Sequence, residues 1–306
     1  MGFVRVLTVC AVALAIAVWS MRDTLPDLLS SDHVGSLVTT SPLLGSRRHS
    51  WELLAFRLLA AAVCLVTAET LLSDKEPFEF TYSGKTVRLF SLGRAATFTV
   101  QTFLLLTAYF VGVTLLSLGD CLGLLREETL QPLGLALNLA FRVLYPSSIL
   151  VTLVVTFVLY PAAIAAKYES QLKRLFLWPV LVMHCGNALL VQGELLLATP
   201  LADDGHVLAG FCIPMLWGLW YVLFAWVFFA RTGVFFYFFL DWRNPGWSAP
   251  IAYVVLLGVL SLMNGLEVGM RYLIARNNVV GCMLSVFATL LICRFRDSRV
   301  PSKSKT

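Results

Sequence analysis

Charged side chains are scarce in this chain of 306 residues, since Asp, Glu, Lys and Arg together make up only 13% of it. Soluble globular domains usually carry about 25% charged residues. Hydrophobic residues make up 58% of the chain, and its mean hydropathy is +0.81. This balance excludes a soluble globular protein and predicts a multi-pass membrane protein.

Other common features are also missing. The chain has no Asn-x-Ser/Thr sequon, no Cys-x-x-Cys pair and no interval between apolar runs that could hold a separate soluble domain. Most of its seven cysteines lie in apolar runs, where cysteine usually behaves as a small hydrophobic residue. The sequence therefore predicts no disulfide framework, no metal site and no cofactor. The net charge of +5 lies largely in loops and tail, so it does not indicate nucleic-acid binding.

Eight apolar runs predict an all-α, polytopic transmembrane helical bundle that forms a single domain over residues 1–306. A spanning helix needs about 20 apolar residues, and the last run is shorter than that. We expect Pro146 to kink the fourth run. The first run has no clean cleavage site and is interpreted as a span; if it were a cleaved signal, seven spans would remain. The runs are 1–20, Leu53–Leu72, Ala95–Ser117, Pro132–Ala166, Leu175–Thr199, Val207–Ala230, Ser248–Met270 and Val279–Cys293.

The distribution of Lys and Arg predicts the orientation of the bundle. Most of the basic loop residues fall on one side if the eight runs cross the membrane alternately, and basic loops face the cytoplasm. Both ends of the chain are then cytoplasmic, and residues 294–306 form a basic cytoplasmic tail. The predicted location is the endoplasmic reticulum or the plasma membrane.

The fifth run, Phe176 to Thr199, carries four polar side chains within an apolar segment: His184, Asn187, Gln192 and Glu194. Intramembrane ionisable residues are costly, and they usually mark function. On a regular helix His184, Asn187 and Glu194 share a face within about 80°, but Glu194 lies about 15 Å from His184 along the axis. Glu194 therefore either lines the same cavity further out or pairs with another helix. Alternatively, all these groups are hydrogen-bonding contacts between helices.

Further polar residues lie in other predicted spans. Arg57 and Arg142 could pair inside the bundle or extend outward to the membrane surface. The third span opens with several threonines, of which Thr99 and Thr102 lie on one helix face. The third and fifth spans run in the same direction, so both threonines fall in the same half of the membrane as His184. A membrane threonine usually bonds its own backbone, which is the alternative to a chemical role.

Three motifs resemble the androgen-induced gene 1 family of multi-pass membrane proteins and, more loosely, the rolling stone proteins. One is His184 followed ten positions later by Glu194. A second is Leu262-Met263-Asn264 in the seventh span. The third follows Trp226 and consists of Thr232-Gly233, Tyr237, Phe239-Leu240 and Asp241. Together the motifs cover roughly residues 94–273.

This resemblance implies a membrane threonine hydrolase that cleaves fatty acid esters of hydroxy fatty acids or similar lipids. Thr99 corresponds to the nucleophile and His184 to the base, and Asn187 could then donate a hydrogen bond to the oxyanion. Thr102 and Glu194 would line the site, and membrane lipids and a lipid ester would be the partners. An alignment through Ser50-Trp51 would instead place Ala55 at the nucleophile position, but that span runs opposite to the fifth.

Two other functions remain open from the sequence. A non-catalytic interaction or scaffold protein of the rolling stone kind would use the polar groups only to hold its helices together. A small-solute transporter would line a path with Arg57, Arg142, Glu194 and Glu267. No repeated pair of Gly/Pro-broken spans is evident, which weakens the transporter interpretation.

Overall fold

A computed structural model of the protein describes six stretches of the chain: residues 2–22, 51–124, 127–165, 169–198, 207–243 and 248–293. The structure is 85% helical, which confirms the predicted all-α bundle. Within these stretches seven helices are long and apolar enough to cross a membrane, so the protein is a multi-pass membrane protein. The predicted tail, 294–306, lies outside the described residues.

Each of the eight apolar runs contains helix. Two of the spans continue through a π-helical segment: one through Val155–Leu159 and the other through Val182–Gly186. The last helix, Asn278–Ile292, has 15 residues and is shorter than the seven spanning helices. In chain order the α-helices are α1 (Gly2–Arg22), α2 (Trp51–Ser73), α3 (Phe98–Cys121), α4 (Glu127–Val154), α5 (Tyr160–Ala165), α6 (Glu169–Leu175), α7 (Trp178–Leu181), α8 (Asn187–Leu197), α9 (Val207–Thr232), α10 (Ser248–Arg276) and α11 (Asn278–Ile292).

The irregularity of the fourth span lies further along the chain than Pro146. The α-helical backbone continues across Pro146, and the π segment Val155–Leu159 follows it. Pro161 lies two residues after the end of this segment and has no N–H to give to the carbonyl of Phe157, four residues before it. The regular hydrogen-bond ladder is therefore interrupted here. Single π turns of this kind occur often at functional sites.

Two hydrophobic cores hold the bundle together. The larger core joins α2, α3, α4 and α8 around Phe103 and Phe110, which are almost fully buried. The second core joins α1, α9 and α10 around Tyr253. In α1 the buried residues recur every three or four positions, as expected for one helix face: Val6, Cys10, Ala13 and Ala17.

A small β-hairpin between α2 and α3 was not predicted. Strands β1 (Phe78–Tyr82) and β2 (Lys85–Leu89) pair antiparallel, with Tyr82 opposite Lys85. The two turn residues, Ser83 and Gly84, have φ values of 49° and 76°. Two positive φ values in a two-residue turn match the twist of a hairpin, and glycine adopts such values at little cost.

The hairpin is attached to the loop that follows α9. The Tyr82 hydroxyl donates a hydrogen bond of 2.8 Å to Asp241, and Arg243 also pairs with this carboxylate, at 2.6 Å. Burial alone would raise the pKa of Asp241, but the hydrogen bonds from Arg243 and Tyr82 outweigh burial and lower it. The attachment therefore depends on an ionised Asp241.

We expect the attachment of the hairpin to weaken in acid. A carboxyl group with a lowered pKa stabilises the folded state above its unfolded pKa, about 3.9, and this contribution is lost as pH falls through the folded value. Protection of β1 and β2 against hydrogen exchange, relative to the unfolded chain, should therefore be high above about pH 4 and fall below it. Asp241→Asn should remove this pH step, whereas Glu79→Gln, on the exposed side of the hairpin, should keep it. An unchanged pH step in Asp241→Asn would contradict the assignment.

Candidate functional site

The three threonines at the start of α3 have three different roles. Thr97 is the N-cap, and its hydroxyl accepts a hydrogen bond from the backbone N–H of Val100 at 3.4 Å. The Thr99 hydroxyl lies 3.4 Å from the hydroxyl of Tyr237. The Thr102 hydroxyl accepts from the indole N–H of Trp217, also at 3.4 Å. Of these three threonines, only Thr99 therefore faces a phenolic hydroxyl.

Tyr237 reaches Thr99 because the chain turns back sharply after α9. Gly233 follows the helix with φ = 73°, and its N–H donates to the carbonyl of Phe229 at 2.7 Å, which ends the helix. The Thr232 hydroxyl accepts a hydrogen bond from the backbone N–H of Val234 at 3.3 Å. The Thr-Gly pair noted in the sequence is thus the turn that directs the following aromatic residues toward α3.

The segment after this turn is held against α10 by a buried tyrosine. The Tyr253 hydroxyl donates to the carbonyl of Leu240 at 2.8 Å and accepts from the indole N–H of Trp226 at 2.9 Å. Leu240 ends a short 3₁₀ turn that begins one residue after Tyr237. The hydrogen bonds of Tyr253 and the Tyr82–Asp241 bond fix this segment at two points and thereby position the ring of Tyr237.

A mostly apolar groove opens beside Thr99. Its cavity volume is about 50 Å³, and the groove is partly open to the outside. The hydroxyl-bearing residues in its wall are Thr99, Tyr221 and Tyr237, and the Tyr221 hydroxyl already donates to the carbonyl of Ala96 at 3.2 Å. The remaining lining is almost entirely hydrophobic and comes from α3, α4, the adjoining π segment, α9, the Tyr237 segment and α10: Phe98, Leu150, Val151, Val154, Val155, Leu159, Gly218, Val222, Phe239, Leu240, Leu256 and Leu260.

His184 does not line this groove. It lies in the π segment Val182–Gly186 and is buried, and its Nδ1 atom has no hydrogen-bond partner among the described residues. Its backbone carbonyl accepts a hydrogen bond of 2.7 Å from Thr152 on α4. Since the adjacent residue Val151 lines the groove, α4 presents one face to the groove and another to His184.

Asn187 makes an interhelical contact rather than facing Thr99. Its side-chain oxygen accepts from Thr152 at 3.2 Å and from the backbone N–H of Ala188 at 2.7 Å. A hydrogen bond of this kind between two membrane helices is the structural role that the sequence left open. Thr102, Asn187, His184 and Glu194 are all absent from the lining of the groove, and Thr99 alone of the predicted site residues is part of it.

Glu194 pairs with another helix, which was the second of the two alternatives predicted for it. The Arg57 guanidinium donates to its carboxylate, with Nη2 to Oε1 at 2.5 Å and Nε to Oε1 at 3.0 Å. The hydroxyl of Tyr109 donates to the same carboxylate at 3.1 Å, and Arg57 Nη1 donates to Ser117 at 2.5 Å. Arg57 and Glu194 are each 1% exposed.

The outward extension of Arg57 and Arg142 suggested by the sequence is wrong. Arg57 is 1% exposed and Arg142 8% exposed, so both side chains stay inside the bundle. Arg57 can stay inside the bundle because it pairs with the carboxylate of Glu194. A buried charge that is paired is far less costly than a lone one, so the side chain does not need to reach the membrane surface. Arg57 lies near the start of α2 and Glu194 near the end of α8, so this cluster sits at the opposite end of the bundle from Thr99.

The sequence did not identify Tyr237 as the neighbour of Thr99. Its aromatic surroundings favoured a packing role, and Tyr237 and Thr99 are 138 positions apart in the chain. The Thr-Gly…Tyr motif was the feature of the sequence that could have indicated Tyr237 as a residue of the site. Chemically, the groove offers two hydroxyls at one end of an apolar channel, and no group of three or more His, Cys, Asp or Glu in the described residues could hold a metal ion.

No protein-family model matches the chain, and no curated protein or solved structure is significantly similar to it. The resemblance to the androgen-induced gene 1 family therefore stays a prediction that rests on the three sequence motifs. The structure itself shows the architecture of a multi-pass helical membrane protein and the geometry of the groove.

Proposed function

We propose that the protein binds a membrane lipid in the groove beside Thr99, with the acyl chain along the apolar wall. The observation that carries this proposal is the position of the Thr99–Tyr237 hydroxyl pair in an otherwise hydrophobic channel. Such a channel lined by a few placed polar groups is the usual form of a small-molecule site. The hydroxyls would meet the ester or hydroxyl group of the lipid. The membrane would be that of the endoplasmic reticulum or the cell surface.

We further propose that the bound lipid is an ester and that the protein hydrolyses it, which is the activity that the resemblance implies. Thr99 would attack the ester carbonyl to form an acyl-enzyme, and His184 would take the threonine proton and pass it to the leaving alcohol. Water activated by His184 would then release the acid. This requires His184 to come within about 3.2 Å of the hydroxyl once lipid is bound. The Tyr237 hydroxyl is placed to donate to the carbonyl oxygen.

Turnover of a fatty acid ester of a hydroxy fatty acid by the purified full-length protein tests the proposed reaction. We expect Thr99→Ala to abolish turnover, because no nucleophile remains, and His184→Ala to lower it about 10²- to 10⁴-fold, as loss of a general base does. A fluorophosphonate probe should label the wild type and not Thr99→Ala.

The matched control is Thr114→Ala on the same helix. The Thr114 hydroxyl donates to the carbonyl of Phe110 at 2.6 Å and does not line the groove, so turnover should be unchanged. Wild-type turnover in both Thr99→Ala and His184→Ala would exclude the reaction. Saturable lipid binding without turnover or labelling would leave lipid binding as the function.

The contacts of the other polar groups favour a second candidate, a non-catalytic scaffold. The Arg57–Glu194 pair and the Thr152–Asn187 bond each join two helices, as structural polar groups in a membrane do. This candidate predicts that His184→Ala lowers stability in detergent and that no probe labels Thr99. Probe labelling that disappears in Thr99→Ala would exclude it.

A further inference from the structure

Two cysteines from distant parts of the chain lie in contact. The Cys293 thiol donates a weak hydrogen bond to the backbone carbonyl of Cys185, at 3.8 Å, across 108 positions of sequence. The two thiols are also close enough to interact with each other. Both side chains are of intermediate exposure. The pair therefore combines proximity with access from outside the protein core.

This contact distinguishes the pair from the other cysteines. Among the described residues, no other cysteine is within hydrogen-bonding reach of a second cysteine. Packing alone explains the others, since a free cysteine usually behaves as a small hydrophobic residue. Packing alone does not require two thiols to lie in contact between two separate helical segments.

We propose that Cys185 and Cys293 are a redox modification site, oxidised to a disulfide by a hydroperoxide such as hydrogen peroxide or a lipid hydroperoxide. The Cys293 thiolate attacks the peroxide O–O bond, which breaks to give a sulfenic acid and an alcohol or water. The Cys185 sulfur then attacks the sulfenic sulfur and displaces water as the S–S bond forms. The two sulfurs lose two electrons to the peroxide, and their two protons leave in the products.

The bond joins the end of α11 to the π segment Val182–Gly186. Cys293 directly follows α11, which is shorter than the seven spanning helices, and Cys185 directly follows His184. In the reduced protein the α11 terminus is held by the Thr156 hydroxyl, which donates to the carbonyl of Ile292 at 2.7 Å, and by the weak Cys293–Cys185 hydrogen bond. Oxidation would add a covalent tie and restrict both segments. In a reducing compartment such a disulfide would be transient, as intracellular redox sites usually are.

The test uses the full-length protein reconstituted in bilayers and treated with cumene hydroperoxide or hydrogen peroxide. Free thiols are then blocked, and the protein is digested without reductant for mass spectrometry. We expect a cross-linked peptide pair containing Cys185 and Cys293, which dithiothreitol abolishes. The midpoint of thermal unfolding should rise on oxidation and return on reduction.

Cys185→Ser and Cys293→Ser should each abolish the cross-link and the shift in the midpoint. Cys282→Ser is the matched control, since Cys282 lies on the same helix, and it should leave both unchanged. If a variant fails to fold, the presence or absence of the Cys185–Cys293 cross-linked peptide in the wild type decides whether the proposal holds. Peroxide treatment that oxidises methionine but yields no Cys185–Cys293 peptide, or that links either cysteine to a different partner, would overturn the proposal.

Discussion

Arg57→Ala is expected to lower the free energy of unfolding by about 3–5 kcal/mol, which is the usual cost of leaving one charge of a buried pair without its partner. Arg57 makes hydrogen bonds to Glu194 and Ser117 and is 1% exposed, so no water can replace the guanidinium. Glu194→Ala should be similarly costly, because it removes the carboxylate that balances the charge of Arg57 inside the membrane. Unfolding in mixed detergent, followed by circular dichroism, measures both effects.

Two comparisons separate charge pairing from lost packing. The double variant Arg57→Met/Glu194→Leu removes both charges and keeps much of the volume, so it should recover most of the lost stability. Arg88→Ala removes a salt bridge of 2.7 Å to Glu79 whose side chains are 68% and 47% exposed, and it should cost no more than about 1 kcal/mol. If the double variant were as unstable as the sum of the single variants, the paired-charge account would be wrong.

Gly281→Ala is expected to displace α11 and to lower the free energy of unfolding by about 1–3 kcal/mol. A Cβ atom at Gly281 would lie 2.8 Å from both the backbone N and the Cα atom of Ile274, in the last turns of α10. Backbone atoms cannot move aside as a side chain does, so the helix itself has to shift. Hydrogen exchange should therefore accelerate in Asn278–Ile292 as the stability falls.

Gly258→Ala on α10 is the control, because no atom lies within 4 Å of a Cβ added there. A glycine within a helix costs roughly 0.5–1 kcal/mol relative to alanine, so this change should be neutral or stabilising. Equal effects of the two substitutions, or unchanged exchange in α11 for Gly281→Ala, would show that α11 does not approach α10 as closely as in the structure.

The architecture followed from the sequence because it depends on composition along the chain. Apolar runs of sufficient length must form helices in a membrane, where every backbone polar group needs an internal partner. What could not be predicted were features set by contacts between distant residues. The β-hairpin has only five residues in each strand, and its attachment depends on Asp241, which lies far along the chain.

The candidate site was predicted less well for the same reason. Helical periodicity placed His184, Asn187 and Glu194 on one face, but the π turn at Val182–Gly186 contains more residues than an α turn and changes their rotation. Periodicity also describes one helix at a time and cannot say which neighbour a side chain meets. Thr99, predicted from the sequence as the nucleophile, lines the groove, while its hydroxyl neighbour, Tyr237, was recognised only in three dimensions.

The central claim is that the groove beside Thr99 binds the acyl chain of a lipid, and photo-crosslinking tests it most directly. The full-length protein in bilayers would be exposed to an ester lipid with a diazirine in its acyl chain, with and without excess unlabelled lipid, and the adducts mapped by mass spectrometry. We predict saturable adducts on Val154 and Leu256, lost in Leu256→Trp, which fills the groove. Adducts found only on outward-facing residues such as Leu59 and Leu115, and not reduced by competing lipid, would contradict the claim.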